Sequence, residues 1–143
     1  MKFQKLRSDA KTPVYGSKDA AGADLYACCG EETVIPAGET VMIPTGIAVA
    51  IPQGHVGLVF ARSSLGTKRG LAPANKVGVI DADYRGEIMV SLHNHSAQDQ
   101  TIAPYERVAQ MVIVPFVQLS YEESDSLDET QRGAGGFGST GRI

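Results

Sequence analysis

The sequence predicts an all-β fold, either a barrel or a sandwich. Short runs rich in Val, Ile and Thr recur along the chain, Gly or Pro separates them at short intervals, and helical periodicity is poor almost everywhere. Thr33 to Ile35 leads into the turn Pro36-Ala37-Gly38. Val41 to Ile51 is β-rich and is interrupted at Pro44 and Gly46. After the turn Pro52-Gln53-Gly54, strands are expected over His55 to Ala61, Ile88 to Asn94 and Arg107 to Val117. Pro44 and Pro115 are expected at edges or bulges, because proline has no N–H to give to a ladder. The one helical stretch is Ser63 to Arg69, with Ser63 as its N-cap and Gly70 as its stop.

At 143 residues and 43% apolar content, the chain is long enough for one domain with a proper core. Residues 1–117 carry the β pattern. Residues 118–131 hold Glu122, Glu123, Asp125, Asp128 and Glu129 without Lys or Arg, and read as a solvated acidic linker. Residues 132–143 contain Gly133, Gly135, Gly136, Gly138 and Gly141, a tail expected to move until a ligand orders it.

A net charge of −3 gives no global basic field, so nucleic acid is not an expected partner and a polyanionic ligand must be met by a local cluster. Cys28 and Cys29 are adjacent, which permits only a strained bond between them, so both are expected reduced. The start Met1-Lys2-Phe3-Gln4-Lys5 has no apolar signal region, and no apolar run approaches ~18 residues. A cytoplasmic protein without a membrane partner is the expectation.

The chemistry concentrates in Gly78-Val79-Ile80-Asp81-Ala82-Asp83-Tyr84-Arg85-Gly86. A carboxylate beside an apolar wall can orient a water and take its proton, which makes Asp81 a candidate general base; Asp81 and Asp83 as plain turn formers is the alternative. Tyr84 offers a ring face to a sugar or base, or is a rim tyrosine. Arg62-Ser63-Ser64 joins a guanidinium and two hydroxyls to a helix start, a combination suited to anions, or is a cap beside a surface arginine. The tail from Arg132 to Gly141 brings glycine amides, Phe137, Ser139 and Thr140, without the Gly-Lys-Ser/Thr of a P-loop. His93 and His95 share a strand face but lack further zinc ligands, and read as surface histidines. Asp24 is either an outer-shell carboxylate for a metal or a structural acid.

Five ordered segments resemble the homotrimeric all-β deoxyuridine triphosphatase (dUTPase) family. They are Ala21-Gly22-Ala23-Asp24-Leu25, Ala61-Arg62-Ser63-Ser64-Leu65-Gly66, the Gly78–Gly86 segment, Glu106-Arg107-Val108-Ala109-Gln110, and Arg132-Gly133-Ala134-Gly135-Gly136-Phe137-Gly138-Ser139. The resemblance implies a jelly-roll-like distorted β-barrel with shared active sites, in which the C-terminal arm of one subunit closes a site on others. It implies hydrolysis of dUTP to dUMP and pyrophosphate, which limits uracil in DNA and supplies dUMP for thymidylate synthesis. Asp81 would activate the water that attacks the α-phosphorus. Mg²⁺ would ride on substrate phosphates and waters, with no direct protein ligand and Asp24 at most in its outer shell.

The resemblance further assigns the phosphates to Arg62, Ser63, Ser64 and Gln110, with Arg132, Ser139 and Thr140 over the terminal one and Phe137 over uracil. Gly138 completes the arm's contacts. Tyr84 would pack under the deoxyribose and leave no room for a 2′-hydroxyl. A hairpin over residues 75–89 would read uracil, through the Asn75 amide and the main chain around Gly78, Val79, Ile80 and Met89. Ser64 stands where the family usually has Gly, and Tyr105 where it often has Gly. Two rivals share the fold: a dCTP deaminase, whose pattern places a glutamate where this chain has Ser91, and a non-catalytic jelly-roll assembly module.

Overall fold

The computed structural model describes residues 1–136. In chain order its elements are β1 (Lys2–Lys5), β2 (Val14–Tyr15), β3 (Ala23–Tyr26), β4 (Thr33–Ile35), β5 (Thr40–Pro44), β6 (Ile47–Ala50), β7 (His55–Phe60), α1 (Ser63–Arg69), β8 (Leu71–Pro73), β9 (Gly78–Ile80), β10 (Met89–Asn94), β11 (Gln100–Ile102) and β12 (Arg107–Pro115). The ladders between them are antiparallel and form a five-stranded sheet β2-β3-β12-β7-β9, a three-stranded sheet β5-β10-β8, and the pairs β1-β6 and β11-β4. The all-β expectation is borne out, with one short helix among the described residues.

A single buried cluster joins the sheets. Leu25, Ile35, Ile43, Ile47, Leu71, Leu92, Ile102 and Val108 come from eight different strands and are almost fully buried, as is Ile88 just before β10. Each such side chain contributes roughly 1.5–3 kcal/mol relative to exposure. β10 alternates as a half-buried strand should: Val90, Leu92 and Asn94 turn inward, while Met89, Ser91 and His93 turn away. Asn94 is a polar residue with no exposed surface, and all its capacity is used. Its amide donates to Ile35 O at 2.9 Å and Gln98 O at 2.8 Å, and its Oδ1 accepts from Ser96 N and Ser96 Oγ. Cys28 is buried and free, and burial pushes its thiol up; Cys29 is free and half-buried.

The helix occupies Ser63–Arg69, but Ser63 is its first helical residue and not its N-cap. The cap is Arg62, extended at φ −86 and ψ 137, and no side chain bonds the first turn. The Arg62 side chain is held elsewhere, by Asp24. Gly70 does stop the helix, in the left-handed conformation at φ 67 and ψ 20. The last strand ends at Pro115, two residues short of Val117. Pro44 lies at the end of an edge strand, as expected. Pro115 lies at the end of a central strand, but β3 pairs only as far as Met111, so that end has β7 alone beside it. Strands β1, β2, β3, β8, β9 and β11 carry no clear β pattern in the sequence. They are two to four residues long.

Candidate active site

Across the five-stranded sheet, Gln110 of β12 pairs with Asp24 of β3 on one side and with Phe60 of β7 on the other. Two residues beyond Phe60 the chain reaches Arg62, then the start of α1. These elements enclose a cavity of about 370 Å³ lined by Gly22, Asp24, Arg62, Ser63, Ser64, Arg107 and Gln110, with Gly16 and Ala20 at its rim. Asp24 organises it. One carboxylate oxygen accepts from Arg62 Nε at 2.8 Å, and the other accepts from an Arg107 terminal nitrogen at 3.1 Å. Gln110 Nε2 donates to Ala61 O at 3.0 Å. A Cβ at Gly22 would meet Gln110 Oε1 at 2.6 Å, so glycine is required for this glutamine to lie where it does. Two guanidiniums against one carboxylate leave a positive excess beside two hydroxyls and the uncapped first turn of α1. Such a cavity takes an anion.

Arg107 lies within a segment singled out in the sequence, but no site role was expected of it. In a regular strand, residues 107 and 110 would face opposite ways. The ladder to β3 slips between Arg107 and Ala109, and the extra residue brings Arg107 round to the side of Gln110. A bulge of this kind has no clear sequence signal.

The second constellation lies around β9. Residues 75–89 do not form a ladder-paired hairpin: β9 pairs with β7, whereas β10 pairs with β5 and β8. The reason is that the two arms bury themselves in different sheets. Between them lies a cleft, one part of about 150 Å³ that includes Asn75, Gly78, Val79, Ile80, Met89 and Ser91, and an adjoining part of about 300 Å³ that includes Met42, Asp81, Tyr84 and Glu87. β9 is the outer strand of its sheet. The ladder of β10 to β8 covers only Leu92 to Asn94, leaving Met89 and Val90 unpaired on that side. Main-chain donors and acceptors therefore face the cleft from both walls.

The turn carrying Asp81 and Tyr84 is tied down locally. Tyr84 N donates to Asp81 O at 3.2 Å, and Tyr84 Oη donates to Glu87 O at 2.9 Å. Arg85 folds back to donate to Ala82 O and Tyr84 O. The far end is anchored to the segment before β6: Gly46 N donates to Glu87 Oε1 at 2.7 Å, and Thr45 Oγ1 to Ile88 O at 2.6 Å. Asp81 itself is exposed.

The two constellations do not meet within one chain. Ile80 faces Gly57 in the β7–β9 ladder, so Asp81 continues toward Val56, while Arg62 lies at the other end of β7. From 56 to 62 the backbone is extended, a separation of roughly 20 Å at about 3.3 Å per residue. Arg132 is exposed and donates from Nε to Gly135 O within its own segment. Phe137, Gly138, Ser139 and Thr140 lie outside the described residues. Among the described residues no group of three or more His, Cys, Asp or Glu could hold a metal. Asp24 has both oxygens on guanidiniums. His93 and His95 stack edge to face at 4.3 Å between centroids, with His93 Nδ1 at 2.9 Å from Thr40 Oγ1. No helix among the described residues is long and apolar enough to cross a membrane.

The dUTPase family model matches residues 8–141. The chain is 46% identical over 142 residues to a deoxyuridine 5'-triphosphate nucleotidohydrolase of Neisseria meningitidis serogroup A, covering 99% of this chain and 95% of that one. It is 48% identical over 138 residues to that of Pseudomonas aeruginosa, covering 96% and 91%. Among solved structures it is similar to the Staphylococcus bacteriophage 80alpha dUTPase with dUPNHPP, at a TM-score of 0.89 and 28% identity over 98% of this chain and 97% of that one. It is also similar to a mutant dUTPase from phage phi11 of S. aureus, in which a structural Mg(II) ion is coordinated, at a TM-score of 0.80 and 25% identity over 90% and 98%. By matched length, by identity and by fold, this chain belongs to the dUTPase family.

Proposed function

We infer that this chain hydrolyses dUTP to dUMP and pyrophosphate with the phosphate half of each site supplied by one copy and the base and nucleophile half by another. The activity follows from family membership. The division of labour rests on one observation: the Arg62 cavity and the Asp81 cleft sit off opposite ends of β7. A triphosphate cannot lie in the first and present its α-phosphorus to Asp81 of the same chain. A homotrimer would bring the two halves together, and residues 132–143 of a further copy would close over them.

Within such a site the roles follow from position. Uracil enters between the free edge of β9 and Met89, where main-chain N–H and C=O groups of Gly78, Val79, Ile80 and Met89 read it as a neighbouring strand would, with Asn75 adding its amide. Cytosine presents a donor where uracil presents an acceptor and leaves buried groups unpaired, a penalty that supports discrimination of ~10⁴–10⁵. Tyr84 packs under the deoxyribose. Arg62, Ser63, Ser64 and Gln110 hold the phosphate chain, and Arg107 adds charge at its rim. Asp81 takes the proton of the attacking water, help worth ~10²–10⁴ in rate. Mg²⁺, carried in on substrate phosphates, would neutralise their oxygens; the donor set fits this, because Asp24 already serves two arginines and offers a metal no free oxygen.

The test is one panel. Wild type and Asp81→Asn receive dUTP, dTTP, dCTP and UTP with Mg²⁺, and pyrophosphate and ammonia release are followed. Turnover of dUTP alone, lost in the variant while nucleotide binding is kept, is the expected result. Ammonia from dCTP would reassign the chain to the deaminase branch, and full activity of Asp81→Asn would remove the assigned base.

A further inference from the structure

Gly86 stands two residues after Tyr84, under the edge of its ring. A Cβ at Gly86 would lie 2.6 Å from Tyr84 Cζ and 3.0 Å from Cε2, and would strike the hydroxyl oxygen more closely still. The backbone at Gly86 is not the obstacle. Gly38, Gly46, Gly54, Gly70 and Gly133 have positive φ, and Gly86 is not among them. Its φ therefore puts no left-handed strain on an alanine, and the three atoms nearest an added Cβ all belong to the tyrosine. One hydrogen bond, from Tyr84 Oη to Glu87 O at 2.9 Å, keeps the ring over the glycine. A side chain at position 86 must push the ring off this seat and break that bond. The ring then no longer forms a fixed wall of the cleft that also holds Met42, Val79, Asp81 and Met89.

We propose that Gly86 is a positioning residue for sugar specificity: by leaving room for the Tyr84 ring, it fixes the surface that separates deoxyribonucleotide from ribonucleotide. The proposal rests on the reading that Tyr84 packs under the deoxyribose. It adds that the discrimination depends on an absent side chain two residues away, acting only through the ring. A hydrophobic wall rejects one extra hydroxyl by no more than ~10². Loosening the ring should therefore lower the dUTP-to-UTP ratio of kcat/KM by about tenfold, within that ceiling.

The experiment compares wild type, Gly86→Ala, Tyr84→Ala and the double variant, measuring kcat/KM for dUTP and UTP together with thermal melting. Both single variants should lose discrimination, and Gly86→Ala should add nothing once Tyr84 is alanine, because the two act as one unit. If Tyr84→Ala lowers the ratio and Gly86→Ala leaves it unchanged or raises it, the role of Gly86 is overturned while that of Tyr84 stands. If neither single variant lowers the ratio, the Tyr84 reading itself is wrong, and this proposal goes with it. An additive loss in the double variant would also overturn it. Should Gly86→Ala fold poorly, the double variant must recover the melting temperature of Tyr84→Ala, since the collision is gone; failure to recover refutes the steric argument.

Discussion

Subunit complementation tests the division of each site between copies. Asp81→Asn removes the base from one half-site, and Arg62→Ala weakens the phosphate clamp in the other. Each homotrimer alone should be nearly inactive. In a trimer assembled from both chains, a site is intact when its Asp81 comes from the Arg62→Ala chain and its Arg62 from the Asp81→Asn chain. Every mixed trimer holds the two chains 2:1 or 1:2 and has a single junction in the restoring order, so about a third of its sites regain both halves if the two come from different copies. None regain them if both come from one chain. The structural basis is the roughly 20 Å between the two groups along β7, far more than a hydrogen-bonded water can bridge. The assay is co-expression with two tags, tandem purification of mixed trimers and pyrophosphate release per site. Mixed trimers as inactive as either parent would refute the shared site and require Arg62 and Asp81 to converge within one chain.

Three further outcomes are expected. Asp24→Asn should lower stability by about 2 kcal/mol, since a partly buried carboxylate accepting from Arg62 and Arg107 loses its charge, and it should raise KM for dUTP by misplacing Arg62; unchanged melting and KM would remove Asp24 as organiser. Gly22→Ala should displace Gln110 and raise KM about tenfold with little change in melting, read by steady-state kinetics and calorimetry. Partial desolvation, then the charges of His93 and Lys76, lower the pKa of the exposed His95 imidazole from its ordinary 6.5, so the unfolded chain takes up this proton at higher pH than the folded one. Melting temperature should therefore fall as pH drops below about 6.5, and His95→Asn should flatten that slope.

The longer strands are legible in the sequence because each buries one face and must alternate, as β10 does. Most of the short ones are not, because a strand of three residues has too few positions to show a period; β4, equally short, is marked by its composition and by the Pro36-Ala37-Gly38 turn that follows it. β8 and β9 carry a proline and a glycine that speak against strands, yet neighbours on the sheet impose the conformation. Helix bounds over 63–69 follow from Gly70, but Ser63 as cap does not, because Asp24, distant in sequence, draws Arg62 into the cap position. Of the site, the polar side chains are visible in the sequence and the backbone is not. Arg107 reaches its cavity through a bulge, and the unpaired walls of the cleft exist only because two adjacent segments join different sheets.

That last arrangement also explains why the chemistry sits where it does. An exposed strand edge is a liability, since it invites pairing with another chain. Here the outer edge of β9 faces Met89 across a gap of limited volume, with Val79 and Met89 exposed at its mouth. Its walls offer main-chain donors and acceptors that no strand of this chain takes up. A flat heterocycle whose edge presents both amide-like groups matches that demand. On the proposed reading the unfinished ladder is the base-reading slot, and it places Asp81, the next residue after β9, at the slot's entrance, where the rest of the nucleotide would pass.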